Sequence, residues 1–353
     1  MTNIAGLGAI RLLQSIIPNF TSLNSFKISE AYIPQGIEII DPDIFEAETK
    51  VMHYKRYLPR VISRFLECTI FGGMFDGDTP LLVMGDIPLR CKGTQIVFLQ
   101  NKLLLDQFSQ LKVLDSFKYR ILKYIFERNL SYVDSFIVQT NTMKKQLLTL
   151  YPKLRGCVYV VAQPVPDWLM RANFRRTVNI YNDLIGLNLF YPSAFYPHKN
   201  HLLLSGIKDP DVWPINKLTL TIDEYVNPLP KAGWIECVGR LNADMVIDEY
   251  RSTDALLFLS QVESYGFPII EAMWLGIPII CPDLDYARDL CGDEAIYFDP
   301  LLSDSLLSAV EELNCRLGSG WWPDWNKQLK TFPKSWISVA NEMSEICFLQ
   351  HRH

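Results

Sequence analysis

Short apolar runs rich in β-branched residues alternate along this chain with longer stretches whose apolar positions recur at helical spacing. Runs of that length bounded by turn residues predict strands, and the periodicity between them predicts helices. In the first half, strands are expected at 37–40, 81–84, 95–99, 135–139 and 157–161, with helices at 6–17, 52–68, 112–129 and 141–150. The second half repeats the rhythm. Strands are expected there at 187–191, 218–221, 234–238, 255–259, 277–281 and 295–298, and helices at 200–207, 242–251, 268–275 and 303–316. Sustained strand–helix alternation is the pattern of parallel sheets covered by helices, so the expected class is α/β. Pro164, Pro166 and the basic run from Arg171 to Arg176 punctuate a linker over 166–184. It separates an N-terminal domain, 1–165, from a C-terminal domain, 185–333, and a last helical pattern over 334–353 is a candidate to pack back onto the first domain.

Length supports two domains, because 353 residues exceed what one core usually organises. The apolar fraction of 49% can fill both cores, and 21% charged residues with no low-complexity tract exclude a disordered or fibrous chain. Eight scattered cysteines without a CxxC pair point to buried thiols in a reducing compartment. The first residues lack a signal-peptide pattern and no apolar run approaches the ~20 residues of a membrane span, so a cytoplasmic protein is expected.

Net charge, −5 overall, is unevenly spread. Residues 1–165 hold 19 Lys+Arg against 14 Asp+Glu, while 166–353 hold 15 against 25. The basic half also contains two basic, aromatic-rich stretches, 55–65 and 118–128. Such stretches suit peripheral contact with an anionic membrane, here the inner face of the cytoplasmic membrane; an ordinary helix with a solvated basic face is the alternative. Nucleic acid is not an expected partner of an acidic chain.

The chemistry concentrates after Asp254, where the chain reads DALLFLSQVESYGFPIIEAMWLGIPIICPD. A buried strand runs into a polar loop, Pro268 suits the first turn of a helix, and Gly276 suits its end. A strand–loop–helix unit at the carboxyl edge of a parallel sheet offers unpaired amides and a positive dipole end, where phosphorylated ligands bind. The amides of Ser264, Tyr265, Gly266 and Phe267 are therefore candidates for a donor's pyrophosphate and sugar. Glu271 can accept from a ribose diol. Glu263 can accept sugar hydroxyls or stabilise positive charge developing at an anomeric carbon. Each carboxylate alone also reads as a structural residue, Glu271 as a charge favoured by the helix dipole and Glu263 as a solvated loop residue.

Glu263-x7-Glu271 with S-Y-G-F-P between the glutamates, EAM after the second and a following G-I-P-I-I strand resembles glycosyltransferase family 4, the glycosyl transferases group 1, among retaining GT-B enzymes. The similarity extends over roughly 234–300 and fades in the first 130 residues. It implies a GT-B fold, two Rossmann-like domains facing across a cleft, and retaining, metal-independent transfer of a hexosyl-type sugar. Donors implied are UDP- or GDP-sugars acting as co-substrate, with no cofactor. The acceptor implied is a glycan or lipid-linked saccharide of bacterial surface-polysaccharide or lipopolysaccharide synthesis. The family's roles fall on Glu263 for the donor sugar, Glu271 for the ribose, and Lys199, in Tyr191-Pro-Ser-Ala-Phe-Tyr-Pro-His-Lys-Asn200, for the diphosphate. Glu263 and Lys199 are the catalytic candidates. Many members carry an arginine five residues before that lysine, where this chain has Ala194.

Candidates for the cleft and acceptor are Gly6, Gly8, Gln100, Asn101 and His198. The glycines stand where family members place a Gly-rich loop, and Gln100 with Asn101 stand where they place a histidine. Three other readings compete. A metal-dependent transferase would use one of Asp41-Pro-Asp43, Asp76-Gly-Asp78 or Asp283-Leu-Asp285, but the first two read as turns. A nucleotide-sugar epimerase or hydrolase on the same fold lacks an evident histidine base. A catalytically degenerate binding subunit would draw support from Ala194 and Gln100, against the intact set of Lys199, Glu263 and Glu271.

Overall fold

The computed structural model describes residues 7–23, 27–34, 45, 48–58, 60–105, 113–176, 186–208 and 213–351. The strand expected at 37–40 and the candidate Gly6 lie outside these residues, and so do Asp41 and Asp43. The chain divides into two units, Met1–Pro164 with Pro333–His353, and Val165–Phe332.

In the first unit, helix α1 (Leu7–Thr21) precedes strands β1 (Glu30–Pro34) and β2 (Lys50–Tyr54), which pair in parallel as a separate two-stranded sheet. Helix α2 (Arg60–Cys68) follows, and then β3 (Leu81–Val83), β4 (Gln95–Leu99), α3 (Val113–Asn129), β5 (Ser135–Val138), α4 (Asn141–Leu150) and β6 (Val158–Val160). The four strands β3-β4-β5-β6 form one parallel sheet in chain order. Every residue of β4 and β5 is buried, which is why these central strands read as continuous apolar runs rather than alternations.

The helix expected over 52–68 is half correct. Residues 50–54 are strand β2, and the helix begins at Arg60, just past Pro59. A proline keeps the residue before it out of the helical region, so the apolar periodicity on its two sides belongs to different elements.

The second unit opens with the short helix α5 (Asp167–Arg171), after which Arg175 and Arg176 clasp the domain that follows. The Arg175 Nε donates to the Trp274 carbonyl (2.8 Å), and Arg176 Nη2 donates to that of Arg251 (2.8 Å). Strands β7 (Leu187–Tyr191), β8 (Ile215–Leu220) and β9 (Ile235–Cys237) come next, and then helix α6 (Ala243–Ser252). They are followed by β10 (Ala255–Leu257), α7 (Phe267–Leu275), β11 (Ile279–Pro282), α8 (Asp285–Cys291), β12 (Ile296–Phe298), α9 (Ser303–Gly318) and α10 (Asn326–Leu329).

The six strands lie parallel in the order β9-β8-β7-β10-β11-β12. The first and fourth strands of this unit are thus adjacent, and chain order runs outward from them in both directions. That is the doubly wound arrangement, in which ligands bind beyond the carboxyl ends of the strands at the reversal point. The last helix, α11 (Trp336–His351), packs against α1 of the first unit. Gln350 Nε2 there donates to the Tyr159 hydroxyl (3.3 Å).

Candidate active site

Two loops leave the carboxyl ends of the strands that flank the reversal point. One follows β7 and carries Pro192 to Asn200; the other follows β10 and carries Phe258 to Gly266. The side chains meet as Lys199 and Glu263, whose Nζ and Oε1 form an ion pair with only 19% and 12% of the two side chains exposed. The Lys199 ammonium also stands 6.0 Å over the Phe258 ring.

Backbone bonds lace the two loops together below this pair. The His198 carbonyl accepts from the Gln261 amide (2.8 Å) and the Ser260 hydroxyl (3.3 Å). Buried Tyr191, the last residue of β7, donates its hydroxyl to the Lys199 carbonyl (2.9 Å). The Tyr286 hydroxyl on α8 donates to the Ser260 carbonyl, anchoring the second loop from the far side.

Lys199 does not open an α-helix, as the helix expected from residue 200 would require. It closes a 3-10 turn, Pro197–Lys199, and a second 3-10 segment, His201–Gly206, follows. Asn200 between them has φ of 56°, a left-handed conformation that breaks a continuous helix, and its side chain donates to the Pro300 carbonyl (2.9 Å). Lysine placement therefore comes from the turn and the ion pair.

The segment from Glu263 to Glu271 folds as its sequence predicts. Gly266 stands at the N-cap of α7 with φ of 80°, Pro268 occupies the first turn, and Gly276 ends the helix with φ of 71°. Buried Tyr265 packs edge-on against Phe267, ring centroids 5.0 Å apart. The amides of Gly266 and Phe267 lie at the positive end of α7. Glu271 is 7% exposed, and its Oε2 accepts from the hydroxyl of fully buried Tyr250 on α6 (2.9 Å).

The two histidines beside Lys199 are held uncharged. Burial first, and the Lys199 charge second, push His198 and His201 down to about 4. His198 stacks on Tyr196 with centroids 5.7 Å apart, and His201 lies between Tyr191 and Phe195.

Gly8, Gln100 and Asn101 belong to the first unit. Gly8 lies in the first turn of α1. Gln100 and Asn101 follow β4, and both amides donate to Asp86 Oδ1 (2.7 and 3.0 Å). The Asn101 side chain is occupied as a cap, accepting from the Leu103 amide (3.1 Å). Asp283 is paired with Arg288 (2.7 and 2.9 Å), which holds its carboxyl below the usual range, and Asp76 accepts from the Lys92 amide. Among the described residues, no group of three His, Cys, Asp or Glu is placed to hold a metal.

Tyr191, Tyr250, Tyr286 and Asn200 were not among the sequence candidates. Tyr250 had a readable signal: it shares a helical face with Val246 and Ile247, so its hydroxyl had to find a buried partner. The other three are recognised only through contacts between distant segments.

Residues 232–313 match the family model described as glycosyl transferases group 1. This segment is similar to that family. It spans β9 to most of α9 and so contains Glu263 and Glu271, while Lys199 lies before it. The chain is 26% identical over 100 residues to the Serotype-specific mannosyltransferase WbdA of Escherichia coli, covering 28% of this chain and 12% of WbdA. It thus spans about an eighth of the length of that curated relative. Whole-chain similarity is structural. The lipopolysaccharide outer core galactosyltransferase WaaB superposes with a TM-score of 0.59 at 14% identity, covering 99% of this chain and 97% of WaaB. HepE of Anabaena, solved with UDP and glucose, superposes with a TM-score of 0.58 at 12% identity, covering 96% and 95%. The fold is GT-B, built from two Rossmann-like domains.

Proposed function

We propose that the chain is a retaining glycosyltransferase moving a hexosyl-type sugar from a UDP- or GDP-sugar to a glycan or lipid-linked saccharide in bacterial surface-polysaccharide synthesis. The observation that carries this reading is the Lys199–Glu263 pair at the reversal point of the six-stranded sheet, beside the start of α7. The group 1 segment, the mannosyltransferase relative and the WaaB-like fold support it.

The donor's diphosphate lies at the amino end of α7, where amides and the dipole receive it. Lys199 turns from Glu263 to the departing phosphate and supplies the positive charge, so no metal is required. Glu263, released from the lysine, accepts hydroxyls of the donor sugar and stabilises charge at the anomeric carbon. Glu271 accepts from the ribose diol. Retention follows when the acceptor hydroxyl attacks on the face the phosphate leaves.

A thermal-shift screen against UDP-, GDP-, ADP- and dTDP-sugars tests the reading. A bound donor raises the melting temperature by mass action, and ligand at about a hundredfold its dissociation constant adds about 2.7 kcal/mol. A flat response to every donor would sink the proposal.

A further inference from the structure

Tyr191 is the last residue of β7 and is fully buried. Its ring lies 4.9 Å from that of His201 and meets the Phe258 ring edge-on at 5.7 Å. Phenylalanine would serve that packing as well, as it does at the preceding buried position, Phe190. A hydroxyl carried into such surroundings loses its water and has to be bonded inside the protein. Tyr191 donates it to the Lys199 carbonyl (2.9 Å). Burial pushes this hydroxyl far above its ordinary range, and the Glu263 charge adds to the effect, so it keeps its proton and remains a donor.

That carbonyl is the root of the Lys199 side chain. Lys199 closes the turn Pro197–Lys199, and the next residue, Asn200, leaves it in the left-handed region with its side chain on the Pro300 carbonyl (2.9 Å). The lysine's main chain is thus held on two sides, by Tyr191 and by the Pro300 turn. A lysine stem is long and flexible, so its ammonium is aimed only as well as its root is fixed. Tyr191 also reaches the far end of the stem, because the ammonium stands 6.0 Å over the same Phe258 ring that Tyr191 meets edge-on. Glu263 has a separate anchor in its own loop, the Tyr286 hydroxyl on the Ser260 carbonyl. We propose that Tyr191 is a positioning residue for the transfer step: its hydroxyl fixes the Lys199 main chain, and so the point from which the ammonium swings from Glu263 to the departing phosphate. The inference rests on the proposed transferase reading and deepens it by naming what aims the cation.

Tyr191→Phe keeps the ring and removes the bond. A small misplacement of a charge-stabilising group costs turnover more than it costs binding. With a donor found by thermal shift, Tyr191→Phe should lower kcat about tenfold and leave the donor KM within about twofold of the parent value. The deciding measurement repeats the substitution in Lys199→Gln. A residue that acts through the lysine has nothing left to position there, so single-turnover transfer should slow by less than about twofold further. Asn200→Gly is the second variant and decides alone if Tyr191→Phe does not fold. Glycine accepts the φ of 56° without strain, and the change frees the same main chain from the Pro300 side, so the same pattern is expected. A kcat equal to the parent's overturns the inference. So does a tenfold loss that recurs in Lys199→Gln, which would make the tyrosine a support of the whole site and not of the lysine. A parent chain that responds to no donor removes the transferase reading and this inference with it, whereas a parent that turns over and is matched by Tyr191→Phe removes this inference alone.

Discussion

Tyr250 on α6 donates its hydroxyl to Oε2 of Glu271 on α7 at 2.9 Å, and both side chains are buried. One carboxylate oxygen is thereby fixed by a tyrosine hydroxyl. Tyr250→Phe keeps the packing and deletes the donor, leaving a buried carboxylate underserved, at a cost of about 1–3 kcal/mol in stability. If Glu271 holds the ribose equally in the ground and transition states, KM for the donor rises severalfold with kcat little changed. Chemical denaturation and donor-dependent kinetics check both halves. An unchanged KM would leave Tyr250 a purely structural partner.

Lys199→Gln tests the lysine's part in the chemistry. The pair it makes with Glu263 is largely buried, so leaving the carboxylate without its cation should cost about 3 kcal/mol, which denaturation of the variant measures separately. Removing a preorganised cation from a leaving phosphate should lower kcat by roughly a hundredfold to a thousandfold. Single-turnover transfer with a donor found in the screen measures this. Activity near that of the parent chain would take Lys199 out of the mechanism.

Gly276→Ala should damage the second unit without touching the chemistry. Its φ of 71° disfavours any side chain, and an added Cβ would come 2.6 Å from the Arg176 carbonyl oxygen. Strain of about 1–3 kcal/mol is expected, since the contact is with backbone that cannot rotate away. Gly318→Ala is the control. It ends α9, its Cβ meets nothing within 4 Å, and alanine there should be neutral or slightly stabilising. Equal melting temperatures for the two variants would refute the steric argument.

Much of the second unit was legible because its signals are local. β-Branched runs gave the strands, and Gly266, Pro268 and Gly276 punctuated α7 as their backbone angles require. Lys199 was legible as a residue but not in its setting, because the left-handed Asn200 that divides its two 3-10 segments carries no periodic signal. In the first unit, Pro59 divides strand from helix inside one apolar pattern, and the helix beyond it turns its charges inward. A rule that places charged residues outside reads α2 backwards. Arg56 and Arg64 looked like a basic surface in the sequence, whereas Arg56 pairs with Glu67 and Arg64 is buried, one nitrogen donating to the Gly85 carbonyl.

Acid should destabilise the protein through His198 and His201. Both have an ordinary value of 6.5 and are pushed down to about 4 in the folded state, by burial first and Lys199 second. Between those values the unfolded chain binds more protons than the folded one, so stability rises with pH across that window. It is fully present above about 6.5 and is lost as pH falls toward 4, below which these groups contribute no further change. Each ring accounts for about 1–3 kcal/mol, since every tenfold loss of proton affinity on folding is worth about 1.4 kcal/mol and His198 keeps some access to water. Urea unfolding from about pH 7.5 to pH 4.5 should show the decline, and His198→Gln should flatten it by about half while leaving the plateau near neutral pH in place. Parallel curves for the parent and His198→Gln would mean that the ring takes up its proton equally in the folded and unfolded chain, so that burial does not hold it uncharged.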